Sequence, residues 1–250
     1  MKVLITGSAG FIGSALALRL LEKMGYRADV AANGLEAVEA VILTAISTDQ
    51  QERYQSAGEL VAALEAAPRF ALDTETTSLD SMRADLVGLS FCADDEVAWY
   101  VPVAHAVLEP QLDWETVRPA LLPTLTDPGK GKTGQNLKYD LEVLATHGVT
   151  LAGIAFDTML ESYVTNSTGS RHDMDSLALK YLGRQTTHYE DIAGKGAKQI
   201  SFSQVEIETA SHYAAEDADI TLQLHRHLWP RLEEEPGLTG VLREIEMPLV

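Results

Sequence analysis

The chain has 250 residues, of which 46% are hydrophobic, and its formal net charge is −18. This composition predicts a water-soluble globular domain with an additional segment, and it excludes strong electrostatic attraction to phosphate groups. The single cysteine excludes an internal disulfide. Cys92 lies in an apolar run, which predicts a buried thiol and fits a reducing, cytoplasmic location. No stretch resembles a transmembrane span, so no membrane association is expected.

The first 45 residues carry Gly7, Gly10 and Gly13 after an apolar run. They resemble the opening of an extended short-chain dehydrogenase or epimerase, where such glycines admit a dinucleotide pyrophosphate to a helix N-terminus. The adjoining GYRADVAANGLEAVEAV instead resembles a piece of a response-regulator receiver, and it lacks the acidic residue that would bind ribose. We therefore predict residues 1–45 to be an incomplete Rossmann-like or receiver-like appendage of βαβα type that binds no NAD.

Residues 46–68 are predicted to connect this appendage to the main domain through a strand and a helix. Ser47, Thr48 and Asp49 can begin a helix, and residues 57–64 are apolar along one helical side. Further along, strands are predicted near 69–74, 86–93, 97–103, 132–135 and 153–156, with a helix from 136 and helices to the end. Three sequential strands followed by alternating units predict an α/β fold with a mixed sheet flanked by helices.

Isolated polar residues in this region are interpreted as structural. Asp157 precedes a helical segment, so it is expected to be an N-cap rather than a metal ligand. The histidines show no spacing typical of metal ligands and are expected to be structural or surface groups; they include His105, His147, His172 and His212.

Two acidic motifs each place a pair of side chains on one face. Asp73 and Glu75 follow the apolar run at 70–72, and residues two apart on a strand project from the same side. Tyr213 and Asp217 are four apart in a stretch rich in alanine and glutamate, and such residues share a helix face. Each motif therefore points its polar groups at one place.

A third acidic residue, Asp140, lies in a segment whose apolar positions 137, 141 and 144 have helical spacing. This spacing leaves Asn136 and Asp140 together on a neighbouring face of the predicted helix. The segment therefore adds one more carboxylate that a folded chain can bring to the other two motifs.

In a chain with 37 acidic residues, a lone Asp-x-Glu is more often a solvated strand end. Several carboxylates together, without cysteine or histidine, favour the hard cations Mg²⁺ or Mn²⁺. Two such ions about 3.5–4 Å apart can bind the attacking and leaving oxygens of a phosphoryl displacement. They also relieve the repulsion between clustered carboxylates. The acidic set therefore predicts a metal-dependent nuclease.

The sequence around these residues resembles the 3′-5′ proofreading exonuclease domain of bacterial DNA polymerase I, in the tyrosine subclass of the DEDD superfamily. The similarity runs in order from about residue 69 to 250 and includes FALDTETTSLD, YVPVAH, GQNLKYD, RHDMDSLA, IAGKGAKQISF and YAAEDADITLQLH. The resemblance implies a ribonuclease H-like fold. It also implies hydrolysis at the 3′ end of single-stranded or frayed DNA, with release of nucleoside 5′-monophosphates.

The resemblance further implies a role for each site residue. Asp73, Glu75 and Asp217 are expected to hold the first of two cations, with Asp73 bridging to the second. Asp140 is expected to act on the second cation through water, and Tyr213 to orient the attacking water. The residues that match positions against the single-stranded 3′ end in the family are Gln135, Asn136, Tyr139 and Arg171.

The exonuclease domain is predicted for residues 69–232, and residues 233–250 resemble the start of the helix that leads to a polymerase domain, which this sequence lacks. Local positive charge for the nucleic acid is expected from Lys130, Lys132 and Lys138, whereas Lys195 and Lys198 lie in a glycine-rich loop that is equally consistent with solvation. The alternative hypothesis is a nucleotide-cofactor-binding or structural module without nuclease activity. Only the N-terminal glycine segment supports it.

Overall fold

The computed structural model of this chain describes residues 42–47, 52–94, 97–109, 111–169 and 171–250. Most of the predicted appendage at 1–45 lies outside the described residues. The last part of it, residues 42–45, belongs to the first strand.

Within the described residues, seven strands form one mixed sheet with the order β2-β1-β5-β4-β3-β6-β7. Strands β1 to β5 pair antiparallel, and β6 and β7 extend the sheet parallel to β3. The predicted strands of the ribonuclease H-like plan are confirmed as β3 to β7. The strands are β1 Ile42–Ser47, β2 Glu52–Ser56, β3 Arg69–Thr76, β4 Leu86–Cys92, β5 Val97–Pro102, β6 Gly131–Gly134 and β7 Ile154–Asp157.

Helices flank this sheet and fill most of the chain after β5. The α-helices are α1 Ala57–Ala66, α2 Trp114–Leu125, α3 Leu137–Thr146, α4 Thr158–Thr165, α5 Met174–Leu177, α6 Tyr189–Ala193, α7 Ile207–Glu233 and α8 Pro236–Val241. Shorter π-type and 3₁₀ segments are Ala178–Leu182, Gly196–Lys198, Phe202–Gln204, Leu242–Glu246 and Met247–Leu249.

Side chains along β3 point alternately to the two faces of the sheet, so they belong to two different layers of the core. Phe70 and Leu72 are fully buried in the larger apolar cluster, which includes residues of α1, α2 and α3. Ala71 points to the other face of the pleat, where it packs with Ala218 of α7. Small residues on both partners let the helix approach the sheet closely, so polar groups on α7 can reach the end of β3. Residues of this small-residue layer are Ala71, Cys92, Ala98, Ala215, Ala218 and Leu222.

The connection before β3 differs in part from the prediction. The expected strand and helix are present as β2 and α1, and residues 42–47 form an additional strand, β1, that ends at Ser47. The sequence Ile42 to Ile46 is rich in β-branched and apolar residues, which favour a strand. Pairing with both β2 and β5 also satisfies its backbone groups. Ser47, which could have begun a helix, is instead the last residue of β1.

The C-terminal segment is helical, as predicted for 233–250, although not as one helix. Helix α7 ends at Glu233, and Pro236 begins α8. Proline is tolerated at the first position of a helix because its missing N–H has no partner there in any case. Among the described helices, none has the combination of length and apolar character that spanning a bilayer requires.

Candidate active site

Strand β3 presents Asp73 and Glu75 on one face, as the strand period requires. Asp73 lies opposite Ser90 and Glu75 opposite Gly88 on β4. The register shifts immediately after Glu75. Such irregularities end regular pairing and redirect side chains, and they are common beside active sites. The two carboxylates therefore occupy the end of the regular strand.

Helix α7 brings Asp217 to the same place. Ligand oxygens of Asp73, Glu75 and Asp217 all lie within 4.8 Å of one another. We call these three residues the acidic cluster. The close approach depends on the buried Ala214 and Ala218, which flank Asp217 on the helix and leave no bulky side chain between helix and sheet. The structure thus joins two of the three predicted acidic motifs.

Asp140 lies beside this cluster and is held by the strand itself. Its Oδ1 accepts a hydrogen bond of 2.9 Å from the backbone N–H of Thr74 and one of 2.6 Å from the Thr74 hydroxyl. Asp140 is in the first turn of α3, where a negative charge is favoured by the helix dipole. The carboxyl is only 2% exposed. Three acidic motifs therefore meet at one end of β3.

Burial and mutual repulsion both oppose ionisation of these carboxyl groups. Burial raises the pKa of Asp73 to about 7. The pKa of Glu75 is raised well above its ordinary value, first by burial and then by the charges of Asp73, Asp217 and Asp140. Burial and the charge of Asp73 likewise raise the pKa values of Asp140 and Asp217. Ionised together, the four groups are electrostatically strained.

The chemistry of this donor set fits a divalent cation. The ligand atoms are carboxylate oxygens, which hard cations such as Mg²⁺ and Mn²⁺ prefer. Glu75 Oε1 is buried and accepts no hydrogen bond from any described residue. A buried acceptor without a donor is costly, and a bound cation removes that cost. Cation binding also offsets the repulsion that raises the pKa values.

Tyr213 lies next to this cluster on α7. It is one helical turn from Asp217, so the two side chains share a helix face. Burial first, and then the charges of Asp217, Glu75 and Asp73, raise the pKa of the phenol. The hydroxyl therefore keeps its proton at neutral pH.

The four residues predicted to meet the nucleic acid differ in how free their polar groups are. The Asn136 side chain is exposed and its backbone adopts the left-handed conformation with φ of 63°. Arg171 is 88% exposed and pairs with Asp173 at 3.1 Å. The amide of Gln135 is engaged internally, because it donates to His172 O and accepts from Thr158. Tyr139 likewise bonds Ser78 O and the Thr76 hydroxyl.

Two lysines expected to supply positive charge for nucleic acid have other partners. Lys132 is fully buried, and its ammonium donates to Asp127 O at 2.7 Å and Lys130 O at 3.0 Å. Lys130 donates to Glu65 O and Ala67 O. These lysines tie backbone segments together, and their contribution of charge toward nucleic acid stays a prediction. Lys130 precedes β6 and Lys132 lies within it, and neither position has a sequence signal that separates the two roles.

The remaining lysines of that prediction are exposed. Lys138 donates to Leu249 O at 2.6 Å. Lys195 pairs with Glu190 in the glycine-rich loop. That pairing supports the solvated interpretation of Lys195, while Lys198 is left as a surface residue of the same loop.

Asp157 confirms the N-cap prediction and extends it. Its carboxylate accepts from the backbone N–H groups of Met159 and Leu160, at the start of α4. It also accepts from Asn136 and Leu137, at the start of α3. One buried carboxylate therefore caps two helices and fixes α3, the helix that carries Asp140. The second cap has no sequence signal, because the residues are 20 and 21 positions apart.

Two further residues near the site, Thr74 and His105, have contacts that the sequence does not indicate. Thr74 follows Asp73 directly, and its role depends on a helix 66 positions away. His105, expected to be structural, is 5% exposed and bonds both Tyr100 and Val205 O. Only the fold brings these partners together.

Comparison with known proteins agrees with this geometry. Residues 49–233 match a protein family described as 3′-5′ exonuclease. The DNA polymerase I of Pseudomonas aeruginosa is 57% identical over 191 residues, which are 75% of this chain and 21% of that protein. The chain thus spans about a fifth of the length of this relative.

Solved structures share the fold. The Pol1 of M. smegmatis in complex with a DNA primer-template and dNTP has a TM-score of 0.57 at 25% identity, covering 74% of this chain and 28% of that one. Brucella melitensis NrnC bound to pGG has a TM-score of 0.55 at 22% identity, covering 70% of this chain and 78% of that one. The latter similarity concerns the fold alone.

Proposed function

Because this chain belongs to the 3′-5′ exonuclease domain family of bacterial DNA polymerase I, we propose that it hydrolyses single-stranded or frayed DNA from the 3′ end. The product would be a nucleoside 5′-monophosphate at each step. The family implies the use of divalent metal ions, and the acidic cluster provides the oxygen ligands for them. The observation that carries the proposal is the convergence of Asp73, Glu75 and Asp217 within 4.8 Å.

Within this proposal, two ions of Mg²⁺ or Mn²⁺ take part. Asp73, Glu75 and Asp217 would hold the first, Asp73 would bridge to the second, and Asp140 would act on the second through water. Bound cations would lower the pKa of the attacking water and offset the negative charge that develops on the phosphate. Thr74 keeps Asp140 oriented by two hydrogen bonds to one oxygen.

Tyr213 is proposed to orient the attacking water. Its raised pKa means that the phenol is a hydrogen-bond donor at neutral pH and a poor base. Packing against Phe202 holds the ring, and the hydroxyl lies on the helix face that carries Asp217. Orientation of the water, rather than removal of its proton, is the role that fits.

Binding of the DNA end is proposed to involve Asn136, Tyr139, Arg171 and Gln135. The exposed guanidinium of Arg171 is suited to a phosphate, and the planar Tyr139 ring to a base or sugar. The net charge of −18 predicts weak affinity of the chain alone, with steep dependence on salt. A polymerase domain, present in the relatives, would be its working partner in the bacterial cytoplasm.

The dinucleotide-binding alternative is not favoured, because the family match covers the segment that carries the acidic cluster. The glycine segment itself lies outside the described residues. We expect no saturable NAD or NADP binding by the full chain in a calorimetric titration. Micromolar binding that is lost in Gly10→Ala would support the alternative.

A digestion of end-labelled DNA tests the proposed function. The full chain is incubated with one single-stranded oligonucleotide labelled at either the 3′ or the 5′ end, in Mg²⁺ or in EDTA. With Mg²⁺, the 3′ label should be released first as a mononucleotide, while the 5′-labelled strand shortens into a ladder. Release of the 5′ label first, or equal cleavage in EDTA, contradicts the proposal. Comparing the cleavage rate of an RNA strand of the same sequence measures the preference for deoxyribose or ribose.

A further inference from the structure

A buried hydrogen-bonded pair lies beside the acidic cluster. The Tyr100 hydroxyl is 2.7 Å from His105 Nε2, and His105 Nδ1 is 2.9 Å from the carbonyl oxygen of Val205. Tyr100 is fully buried and His105 is 5% exposed. A carbonyl only accepts, so Nδ1 carries the proton and Nε2 accepts from Tyr100. Both partners of the ring are thereby fixed.

Tyr100 reaches this position because Gly88 has no side chain. A Cβ on Gly88 would lie 2.1 Å from the Tyr100 hydroxyl oxygen, which no real contact allows. Gly88 is the strand partner of Glu75. The Tyr100 ring therefore crosses β4 next to a residue of the acidic cluster. In agreement, the charges of Glu75 and Asp73 add to burial in raising the pKa of Tyr100.

His105 attaches the turn at 202–205 to the sheet. Besides the His105 bond to Val205, the neighbouring Ala106 N–H donates to Ser203 O at 2.6 Å. The turn carries Phe202, which is 1% exposed. The Phe202 ring centroid lies 5.7 Å from that of His105 and 6.5 Å from that of Tyr100.

Phe202 in turn supports Tyr213. The centroids of the two rings are 5.9 Å apart, and both belong to the apolar cluster that includes Tyr100. A chain of direct contacts therefore runs from His105 through the 202–205 turn to Tyr213. A shift of Phe202 would remove one packing contact of the Tyr213 ring and let the Tyr213 hydroxyl move relative to Asp217.

We propose that His105 is a positioning residue for Tyr213: through Val205 and Phe202 it holds the Tyr213 ring where its hydroxyl serves the acidic cluster. Tyr100 completes the arrangement by fixing the His105 tautomer. This inference rests on the proposed function for the role of Tyr213. The proposed function assigns no role to either His105 or Tyr100.

The test uses variants of the full chain that remove one contact at a time. His105→Ala removes both hydrogen bonds, Tyr100→Phe removes only the one at Nε2, and His105→Asn keeps a donor for Val205 O. The control is His147→Ala, because His147 also bridges two backbone groups, Leu86 N and Val143 O. His147 directly follows α3, which packs in the larger apolar cluster, whereas Tyr213 packs against the cluster that contains Phe202 and Tyr100.

Steady-state kinetics should distinguish a positioning role of His105 from a general effect of the substitution on stability. We expect His105→Ala to lower kcat about tenfold with KM unchanged, since a small displacement of a positioned group costs rate rather than binding. His105→Asn should recover most of the loss, and His147→Ala should be close to wild type. In a Tyr213→Phe background, His105→Ala should cost less than about twofold. An additive loss, or an equal loss in the control, overturns the inference.

Amide hydrogen exchange gives a readout that needs no activity. In His105→Ala, the amides of Gln204 and Val205 should exchange faster, while those of the strand core keep their protection. Unchanged exchange at 202–205 overturns the inference. If the wild-type chain itself shows no exonuclease activity, the proposed function fails, and the exchange result still decides whether His105 holds the turn. If His105→Ala does not fold, His105→Phe, which keeps a ring of similar size but cannot donate to Val205 O, carries the same comparison.

Discussion

Thr74 donates two hydrogen bonds to one oxygen of Asp140, from its backbone N–H at 2.9 Å and from its hydroxyl at 2.6 Å. Thr74 lies between Asp73 and Glu75, so its side chain points to the opposite face of the pleat. Strand β3 therefore presents two carboxylates directly and holds a third from α3. Thr74 orients the Asp140 carboxylate, while the Asp157 cap fixes the start of the helix that carries it.

Replacement of Thr74 by valine tests this dependence. Thr74→Val keeps the β-branched shape and the backbone donor but removes the hydroxyl, whose bond to a carboxylate is worth about 1.5–3 kcal/mol. We expect single-turnover cleavage in Mg²⁺ to fall about tenfold or more, with the circular dichroism spectrum unchanged. Thr74→Ser retains the hydroxyl and should stay near the wild-type rate. Equal rates for Thr74→Val and wild type contradict the prediction.

Tyr213→Phe removes only the hydroxyl that is proposed to orient the attacking water. The rate should fall by roughly ten- to a thousandfold, the scale for loss of one positioned hydrogen bond in a transition state. Mg²⁺ affinity, measured by calorimetry, should not weaken, because the carboxylates remain. The exposed Tyr163 offers a control, since Tyr163→Phe removes a hydroxyl elsewhere on the surface. A wild-type rate for Tyr213→Phe at saturating Mg²⁺ leaves Tyr213 as a packing residue.

The sequence predicted the parts of the site that are local. Spacing of two on a strand and four on a helix correctly paired Asp73 with Glu75 and Tyr213 with Asp217 on shared faces. Asp157 was predicted as an N-cap from its position before a helical segment, and it is one. Such features depend on backbone geometry within a few residues, which the sequence encodes directly.

The parts that depend on distant contacts could not be predicted. Lys130 and Lys132 were interpreted as positive charge available for nucleic acid, yet the ammonium groups of both donate to backbone carbonyl oxygens. Nothing in the spacing of Thr74 or His105 indicates partners 66 or 100 positions away. Strand β1 was missed because residues 42–45 were assigned to the N-terminal appendage, whereas residues 44 and 45 pair with β5 of the main sheet, about 55 positions away.

His225 predicts a pH dependence of stability. Arg69 Nη1 is 2.7 Å from His225 Nε2, and His225 Nδ1 is 2.7 Å from Glu161 Oε1. Arginine can only donate, so Nε2 accepts and the neutral ring donates to Glu161. Burial, and then the Arg69 charge, lower the pKa of His225 to about 4. Since unfolded histidine binds a proton near pH 6.5, stability should fall as the pH drops from about 6.5 to about 4.

The variant His225→Asn checks this expectation, because asparagine keeps a donor toward Glu161 and cannot titrate. Urea unfolding at a series of pH values should show the wild type losing up to about 3 kcal/mol more than the variant across that range. The variant itself should be less stable at neutral pH, since it loses ring contacts with Phe156 and Trp229. Parallel pH profiles for the two proteins contradict the assignment.

Removal of metal should reveal the repulsion within the acidic cluster. In EDTA at neutral pH, Asp217→Asn should be more stable than wild type by about 1–2 kcal/mol, because it removes one of several buried like charges. With saturating Mg²⁺ the order should reverse, since a cation stabilises only the protein that retains its ligands. Thermal unfolding with and without Mg²⁺ measures both, and a variant less stable in EDTA contradicts the prediction.

The most direct test of the account is single-turnover cleavage of 3′-labelled single-stranded DNA in saturating Mg²⁺ by Asp73→Ala. Asp85→Ala, which removes an exposed carboxylate outside the cluster, serves as the matched control. If Asp73, Glu75 and Asp217 hold the cations that hydrolysis requires, Asp73→Ala should release no mononucleotide above background while Asp85→Ala cleaves at the wild-type rate. Cleavage by Asp73→Ala at the wild-type rate contradicts the assignment of this cluster as the active site.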